Sequence, residues 1–220
     1  MLRPGNLTLA PELQPTMTRL PAAKRKTQLL EAAAKVFASR GYSGTTTAEL
    51  AKAAGVSEPI IYRHFESKRD MFIALVEKAG EETLASWEES LKGVTDPAER
   101  LMILIHANPM VTVKGHLKYR VIVQAMTEVE EPPIQAALQQ HIRTVHEFLS
   151  KEIREAQATG TVSKRFTPEL TAWALIHMGL GYGVLSALRV PDNGVDKTGN
   201  HVDDIIGLFM LAERYRRPTA

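Results

Sequence analysis

Apolar residues recur at helical spacing along most of the chain, and no segment shows the sustained alternation that is typical of strands. In the first such segment the apolar stripe starts at Leu29 and continues at i+4, i+7 and i+8. The most regular segment starts at Ile134, where the apolar residues step by four, four, three, four and four. Proline and glycine are concentrated between these segments. The pattern therefore predicts an all-α fold.

Start and stop signals divide this pattern into about nine predicted helices. Thr46 and Glu49 have the spacing of a capping box, in which the hydroxyl accepts an N–H group and the carboxylate bonds back to the start of the helix. Gly55 ends that helix, and Ser57 is expected to cap the next one, where Pro59 is tolerated in the first turn. Helices are predicted over about 22–40, 46–54, 57–65, 67–92, 98–106, 113–127, 134–159, 167–189 and 202–216, with a loop over 191–200.

The composition is that of an ordinary globular protein, with 44% apolar and 24% charged residues. Because the chain has no cysteine, it has no disulfide framework and no thiolate metal site, which suits a cytoplasmic location. No apolar run approaches the roughly 18 residues that a membrane helix needs, so no membrane partner is expected. Residues 1–20 contain three prolines and fail as a signal peptide. They are predicted to form an extended arm or a tail without a role.

The net charge of +2 is unevenly divided along the chain. Residues 19–80 carry 11 Lys and Arg against 6 Asp and Glu, which gives +5. Residues 81–220 carry 15 against 18, which gives −3. A basic front half joined to an acidic rear half favours a polyanionic partner for the front half only.

Two short predicted helices, joined by a turn over residues 53–57, have the spacing of a helix-turn-helix, whose second helix enters the major groove of DNA. Ile61 and Phe65 can face the core. Ile60 can contact a thymine methyl group, and Arg63 can donate either to guanine or to phosphate. The residues predicted to contact duplex DNA are Thr46, Ser57, Glu58, Pro59, Ile60, Tyr62, Arg63, His64 and Lys68.

This segment closely resembles the DNA-binding signature of the tetracycline-repressor (TetR) family of regulators, over about residues 24–79. Two positions depart from the family pattern: Pro59 stands where glycine is frequent, and Thr47 where a β-branched aliphatic residue is frequent. Neither departure changes the predicted helices. Pro59 lies near the base-reading face, so the operator sequence is not determined by the resemblance. The residues that carry the resemblance are Gly41, Tyr42, Thr45, Thr46, Leu50, Ala51, Ala54, Gly55, Val56, Ser57, Tyr62, His64, Phe65, Ser67 and Lys68.

For the rest of the chain, the resemblance implies about five further helices, a small-molecule cavity and a homodimer joined by the last two helices. It divides the chain into an arm (1–20), a DNA-binding domain (21–80, with the helix-turn-helix at 46–65) and an effector-binding and dimerisation domain (81–220). The sequence agrees, because one late helix is rich in glycine and the last carries a long apolar stripe, although packing within one chain explains part of both. The predicted interface residues are Trp173, Gly181, Leu185, Ile205, Ile206, Phe209 and Met210.

Candidate effector contacts are polar or soft side chains on the intervening helices, each of which could instead be an ordinary core residue. They are His106, Met110, Gln124, Met126, His177, Met178 and Tyr182. His141 and His146 do not share a helical face, and no metal or cofactor is predicted.

The function expected from the resemblance is a repressor that binds a palindromic operator as a homodimer and is released by a small-molecule effector. An activator or an effector-independent regulator of the same fold is the alternative. A helical small-molecule-binding protein without DNA contact is a more remote one. An enzyme is disfavoured, because the chain has no nucleophile elbow, no glycine-rich phosphate loop and no HExxH motif.

Overall fold

The computed structural model describes residues 21–109, 113–128, 130–188, 195–196 and 199–200. Within these residues the fold consists of eight helices and one short antiparallel strand pair, which confirms the all-α prediction. None of the described helices is long and apolar enough to cross a membrane. The helices are α1 (Ala22–Arg40), α2 (Thr47–Ala54), α3 (Glu58–Tyr62), α4 (Lys68–Ser90), α5 (Pro97–His106), α6 (Val113–Ala125), α7 (Pro132–Ala158) and α8 (Pro168–Ala187), and the strands are β1 (Val195–Asp196) and β2 (Gly199–Asn200).

The strand pair and two helix boundaries differ from the sequence-based prediction. The strands pair Val195 with Asn200, inside the segment predicted as a loop. Helix α3 ends at Tyr62, three residues early. Helix α7 begins at Pro132, because prolines are tolerated in a first turn whose N–H groups need no helical partner. The predicted arm over 1–20 and the predicted helix over 202–216 lie outside the described residues.

The first hydrophobic core lies between α1, α2, α3 and the front of α4. Its centre is an aromatic cluster, in which the rings of Phe37 and Phe72 meet edge to face at 5.0 Å and the ring of Tyr42 lies 4.9 Å from that of Phe72. Helix α6 and the start of α7 complete this core. The front of the molecule is therefore packed against residues far outside the predicted 21–80 range. The residues that α6 and α7 contribute are Tyr119, Val121, Ile122, Ala125, Ile134 and Leu138.

A second core lies between the rear of α4, α5, the rear of α7 and α8. At its edge Arg100 and Glu152 form a bidentate pair, with Nε to Oε2 at 2.7 Å and Nη2 to Oε1 at 2.8 Å. Arg100 also donates to the Val94 carbonyl at 2.9 Å. The hydrogen bond to Glu152 raises the pKa of Arg100. This pair fixes the start of α5 against α7. Because α4 contributes to both cores, it connects the two ends of the molecule.

Candidate nucleic-acid interface and adjoining cavity

The start of α2 is held by a complete capping box, which confirms that prediction. The Glu49 backbone N–H donates to Thr46 Oγ1 at 3.3 Å, and the Thr46 N–H donates to Glu49 Oε2 at 2.9 Å. Glu49 also forms an ion pair with Arg40 at the end of α1. The backbone hydrogen bond from Thr46, followed by that from its hydroxyl, lowers the pKa of Glu49. The local sequence thus fixes the orientation of α2.

The turn between α2 and α3 depends on Gly55, whose φ of 67° and ψ of 33° are left-handed and favour glycine. Ser57 occupies the cap position of α3, but its hydroxyl makes no capping bond, so the predicted side-chain cap is wrong. A cap bonds the second or third N–H of a helix. The second residue here is Pro59, which has no N–H, and the N–H of Ile60 donates instead to the Ser57 carbonyl at 2.9 Å.

Helix α3 separates buried from exposed side chains sharply. Ile61 is buried in the first core, as is Phe65 just beyond the helix. Tyr62 is 52% exposed, and its hydroxyl lies 3.5 Å from Thr47 Oγ1. Glu58, Pro59 and Arg63 are exposed, whereas Ile60 and His64 are half-buried. The candidate DNA-contacting side chains of α3 therefore lie on the side of the helix away from its core residues.

Lys68, at the start of α4, is tied into the protein. Its Nζ donates to the Tyr42 carbonyl at 2.9 Å and lies 4.2 Å from the centre of the Tyr42 ring. The preceding Ser67 caps α4, because its Oγ accepts from the Asp70 N–H at 3.1 Å. Burial, and then the charge of Glu131, raise the pKa of Tyr42. Lys68 thus joins the turn after α1 to the start of α4, next to the end of α3.

A partly open cavity of about 300 Å³ is lined by residues of α4, α5, α6, α7 and α8. Most of its described lining is aliphatic or aromatic, and none of the described lining residues is charged. The lining residues are Thr83, Trp87, Leu101, Leu104, Ile105, Asn108, Pro109, Tyr119, Ile142, Val145, Leu149, Leu175, Ile176, Met178, Gly179, Leu180, Gly181, Tyr182 and Leu185.

The candidate effector residues fall in different places. Met178 and Tyr182 line the cavity. His106 and His177 are exposed and lie outside the described lining, because each is on the outer side of its helix. Gln124 and Met126 are half-buried outside the lining, with Met126 packed against the first core. Met110 lies outside the described residues.

A buried contact next to the cavity was missed by the sequence reasoning. The Tyr119 hydroxyl of α6 is hydrogen-bonded to His141 Nε2 of α7. A Cβ at Gly80 of α4 would lie 2.6 Å from His141 Nδ1, so only glycine permits this approach. Burial lowers the pKa of His141 to about 4 and raises that of Tyr119. Three helices therefore meet here through groups that are neutral at pH 7.

Helix α8 carries an exposed apolar face. Apart from Tyr62, the exposed large apolar side chains of the described residues all lie on or beside this helix. The ring of Trp173 stacks on two imidazoles, with centroids 4.4 Å from that of His146 and 6.0 Å from that of His177. Around a Cβ built on Gly181, no described atom lies within 4 Å. The remaining predicted interface residues, Ile205, Ile206, Phe209 and Met210, lie outside the described residues. The exposed apolar residues of α8 and its approach are Phe166, Leu170, Trp173, Val184, Leu185 and Leu188.

Comparison with known proteins relates both parts of the molecule to bacterial regulators. A family model described as bacterial regulatory proteins, tetR family, matches residues 29–75, which hold α2, α3 and the start of α4. The transcriptional regulator UidR of Escherichia coli K12 is 26% identical over 182 residues, covering 82% of this chain and 85% of UidR. The transcriptional activator FasR of Mycolicibacterium smegmatis is 37% identical over 89 residues, or 40% of this chain and 41% of FasR.

A solved structure matches almost the whole fold. It is that of a transcriptional regulator from Saccharomonospora viridis in complex with choline, with a TM-score of 0.78 and 21% identity. The match covers 87% of this chain and 100% of the other. At this identity the match shows a shared fold, including the helices that enclose the cavity.

Proposed function

This chain belongs to the TetR family of DNA-binding transcriptional regulators, and on that premise we propose that it is a ligand-controlled repressor. It binds a palindromic operator as a homodimer and leaves the operator when a small molecule fills the cavity. The observation that carries this proposal is the course of α4. This helix starts at Lys68, next to α3, and reaches the cavity wall with Thr83 and Trp87.

In the proposed complex α3 enters the major groove. Ile60 contacts a thymine methyl group, and Arg63 donates to guanine or phosphate. Tyr62 and His64 bind phosphates on either side of the groove. The Ser57 hydroxyl is also suited to phosphate, because Pro59 leaves it without a capping bond. The burial of Ile61 and Phe65 supports this arrangement, since it fixes the exposed side of α3.

Lys68 is assigned a double role. Its bond to the Tyr42 carbonyl uses one of the three N–H groups of the ammonium, so two remain for a phosphate oxygen. Because the same contact fixes the side chain next to the end of α3, little conformational entropy is lost when phosphate binds.

The apolar face of α8 supports the homodimer. Exposed apolar residues at this density, on a helix whose other side lies in the second core, are typical of an interface. In a two-fold dimer each copy presents the same face, so α8 packs against α8 of the partner together with the predicted last helix. The two α3 helices then reach adjacent major grooves about 34–36 Å apart.

The position of α4 explains how a bound ligand would release the DNA. A ligand that fits the cavity better when α4 is tilted moves the two α3 helices away from the operator spacing. The effect on DNA affinity cannot exceed the difference in ligand affinity between the two arrangements.

A gel-shift titration with DNA from around the encoding gene tests the DNA-binding part. Lys68→Ala should weaken binding to all sequences alike and reduce the salt dependence by about one counterion. Lys151→Ala is the matched control, because Lys151 is exposed on α7. An unchanged salt slope for Lys68→Ala would remove Lys68 from the DNA contacts. Failure of the wild-type protein to bind duplex DNA at low salt would reject the function itself.

An activator is the second candidate, because FasR is named an activator and its match includes the helix-turn-helix. A promoter–reporter fusion distinguishes the two. Deletion of the encoding gene should raise expression from a repressed promoter, whereas it lowers expression from an activated one.

A further inference from the structure

The cavity wall limits the class of ligand by size. A volume of about 300 Å³ corresponds to roughly ten water molecules of the liquid, or about ten to fifteen non-hydrogen atoms of a small organic molecule. The described lining is dominated by leucine, isoleucine and valine from α5, α7 and α8, so most of the ligand surface must be apolar.

The same wall selects against charge. No Lys, Arg, His, Asp or Glu is among its described lining residues. The neighbouring ions Arg100 and Glu152 are already paired with each other. An ion transferred into such a cavity would lose part of its hydration without gaining a counter-ion from the described lining, which is unfavourable.

A quaternary ammonium is the rival occupant, because aromatic rings attract such cations and Trp87, Tyr119 and Tyr182 line the cavity. The phenol of Tyr119 argues for a different ligand. This lining residue carries a hydroxyl group, which can donate to an oxygen acceptor but not to a cation.

Tyr119 is the lining residue best suited to bind such an oxygen. One side of its hydroxyl is held by His141 Nε2, which fixes the position of the phenol. When Nε2 carries the imidazole proton and donates it to the phenol oxygen, the Tyr119 O–H is free to donate to the ligand. The hydroxyl of Thr83 is less suited as a donor, since it already donates to the Ala79 carbonyl at 2.8 Å.

We propose that the cavity binds a neutral, largely apolar molecule of about ten to fifteen non-hydrogen atoms with one oxygen acceptor, and that Tyr119 donates the hydrogen bond that recognises this oxygen. It rests on the proposed function in taking this cavity as the effector site. The position of Tyr119 also connects recognition to α4. Tyr119 belongs to both the cavity wall and the first core, and its partner His141 packs against Gly80. A shift of the Tyr119 side chain is therefore transmitted to α4 through the imidazole of His141.

The test is calorimetric titration of the wild-type protein, without DNA, with three probes of similar size. These are 2-decanone, decanoate and decyltrimethylammonium, which are neutral, anionic and cationic. The ketone should bind at least tenfold more tightly than either ion. Equal or tighter binding of an ion, or no binding of the ketone, overturns the ligand class. This ranking needs no variant, so it holds even if a substitution impairs folding.

A matched pair of variants tests the role of Tyr119. Tyr119→Phe and Tyr182→Phe each remove one hydroxyl from the cavity wall. Loss of one neutral hydrogen bond should weaken ketone binding by about three- to tenfold in Tyr119→Phe, with less than a twofold change in Tyr182→Phe. The reverse order, or no change in Tyr119→Phe, overturns the assignment.

The ligand proposal and the proposed function can fail separately. Ketone binding by a protein that ignores DNA in the gel shift would leave the ligand class standing and reject the regulator. DNA binding by a protein that does not bind the ketone would support the regulator and reject the ligand class.

Discussion

The two hydrophobic cores are built from the same kinds of residue but are filled differently. The first core lies at the front of the molecule and the second at the rear. The centre of the front core is formed by Phe37, Tyr42 and Phe72, whose ring centroids lie within 6.2 Å of one another. The rear core borders a partly open cavity of about 300 Å³ and leaves the Trp87 N–H without a described partner. Close packing of these rings at the front positions α3, whereas the space at the rear is large enough for a small molecule. Because α4 belongs to both cores, a change at the rear can reach the front.

A Leu→Ala substitution should lower the free energy of unfolding more in the front core than at the cavity wall. Leu29→Ala in the front core removes a side chain packed on all sides and should lower the free energy of unfolding by about 4 kcal/mol. Leu104→Ala at the cavity wall should cost about 2–3 kcal/mol, because one side of Leu104 already faces empty space. Urea denaturation of both variants measures the difference. Equal losses would contradict the difference in packing.

Acid should destabilise the protein through His141, at the boundary between the cores. Its pKa is lowered to about 4 by burial, whereas an unfolded histidine titrates near 6.5. Between these values the unfolded chain binds a proton that the folded protein does not. The free energy of unfolding should therefore fall as the pH is lowered from about 6.5 to 4, by up to about 3 kcal/mol, and this contribution should level off below pH 4. In His141→Gln this part of the pH dependence should be missing, so the difference between the wild-type and variant denaturation profiles should show it.

A side chain at Gly80 should clash at the contact between α4 and α7. Gly80→Ala places a Cβ against His141 Nδ1 and should cost about 1–3 kcal/mol, despite the better helix propensity of alanine. Ser86→Ala, also on α4, is the control, because Ser86 is exposed and the change improves helix propensity without placing a new atom against a neighbour. Thermal unfolding should show Gly80→Ala to be the less stable variant. A stability equal to or above that of the control would contradict the close contact between α4 and α7.

The smallest expected difference concerns the two predicted caps of the helix-turn-helix. Thr46→Ala removes a formed capping bond and should cost about 1 kcal/mol. Ser57→Ala removes no capping bond and should leave stability within about 0.5 kcal/mol of the wild type, while weakening DNA binding. A loss of stability in Ser57→Ala as large as that in Thr46→Ala would show that Ser57 caps α3 after all.

The front of the molecule could be predicted because its signals are local. The capping box at Thr46, the left-handed Gly55 and the burial of Ile61 all follow from neighbouring residues. The missing cap at Ser57 was only partly readable, since a proline at the second helical position removes one of the two N–H groups that a cap can bond.

The resemblance implied a cavity, but most of its wall could not be predicted from the sequence, because the wall is made of the same aliphatic residues as a filled core. Searching for polar and soft side chains selected His106 and His177, which are exposed. The contact of Gly80, Tyr119 and His141 joins three helices across 61 residues of chain, from residue 80 to residue 141, and no local pattern indicates it.

Coupling between the cavity and the DNA-binding surface is tested most directly by fluorescence anisotropy of a labelled operator, titrated with protein at fixed salt in the presence and absence of 2-decanone. With the ketone bound, as calorimetry establishes separately, the Kd for DNA should rise by about five- to 150-fold, the usual range for coupling between two sites. An unchanged Kd with the cavity occupied would contradict the claim that α4 connects the cavity to the DNA-binding surface.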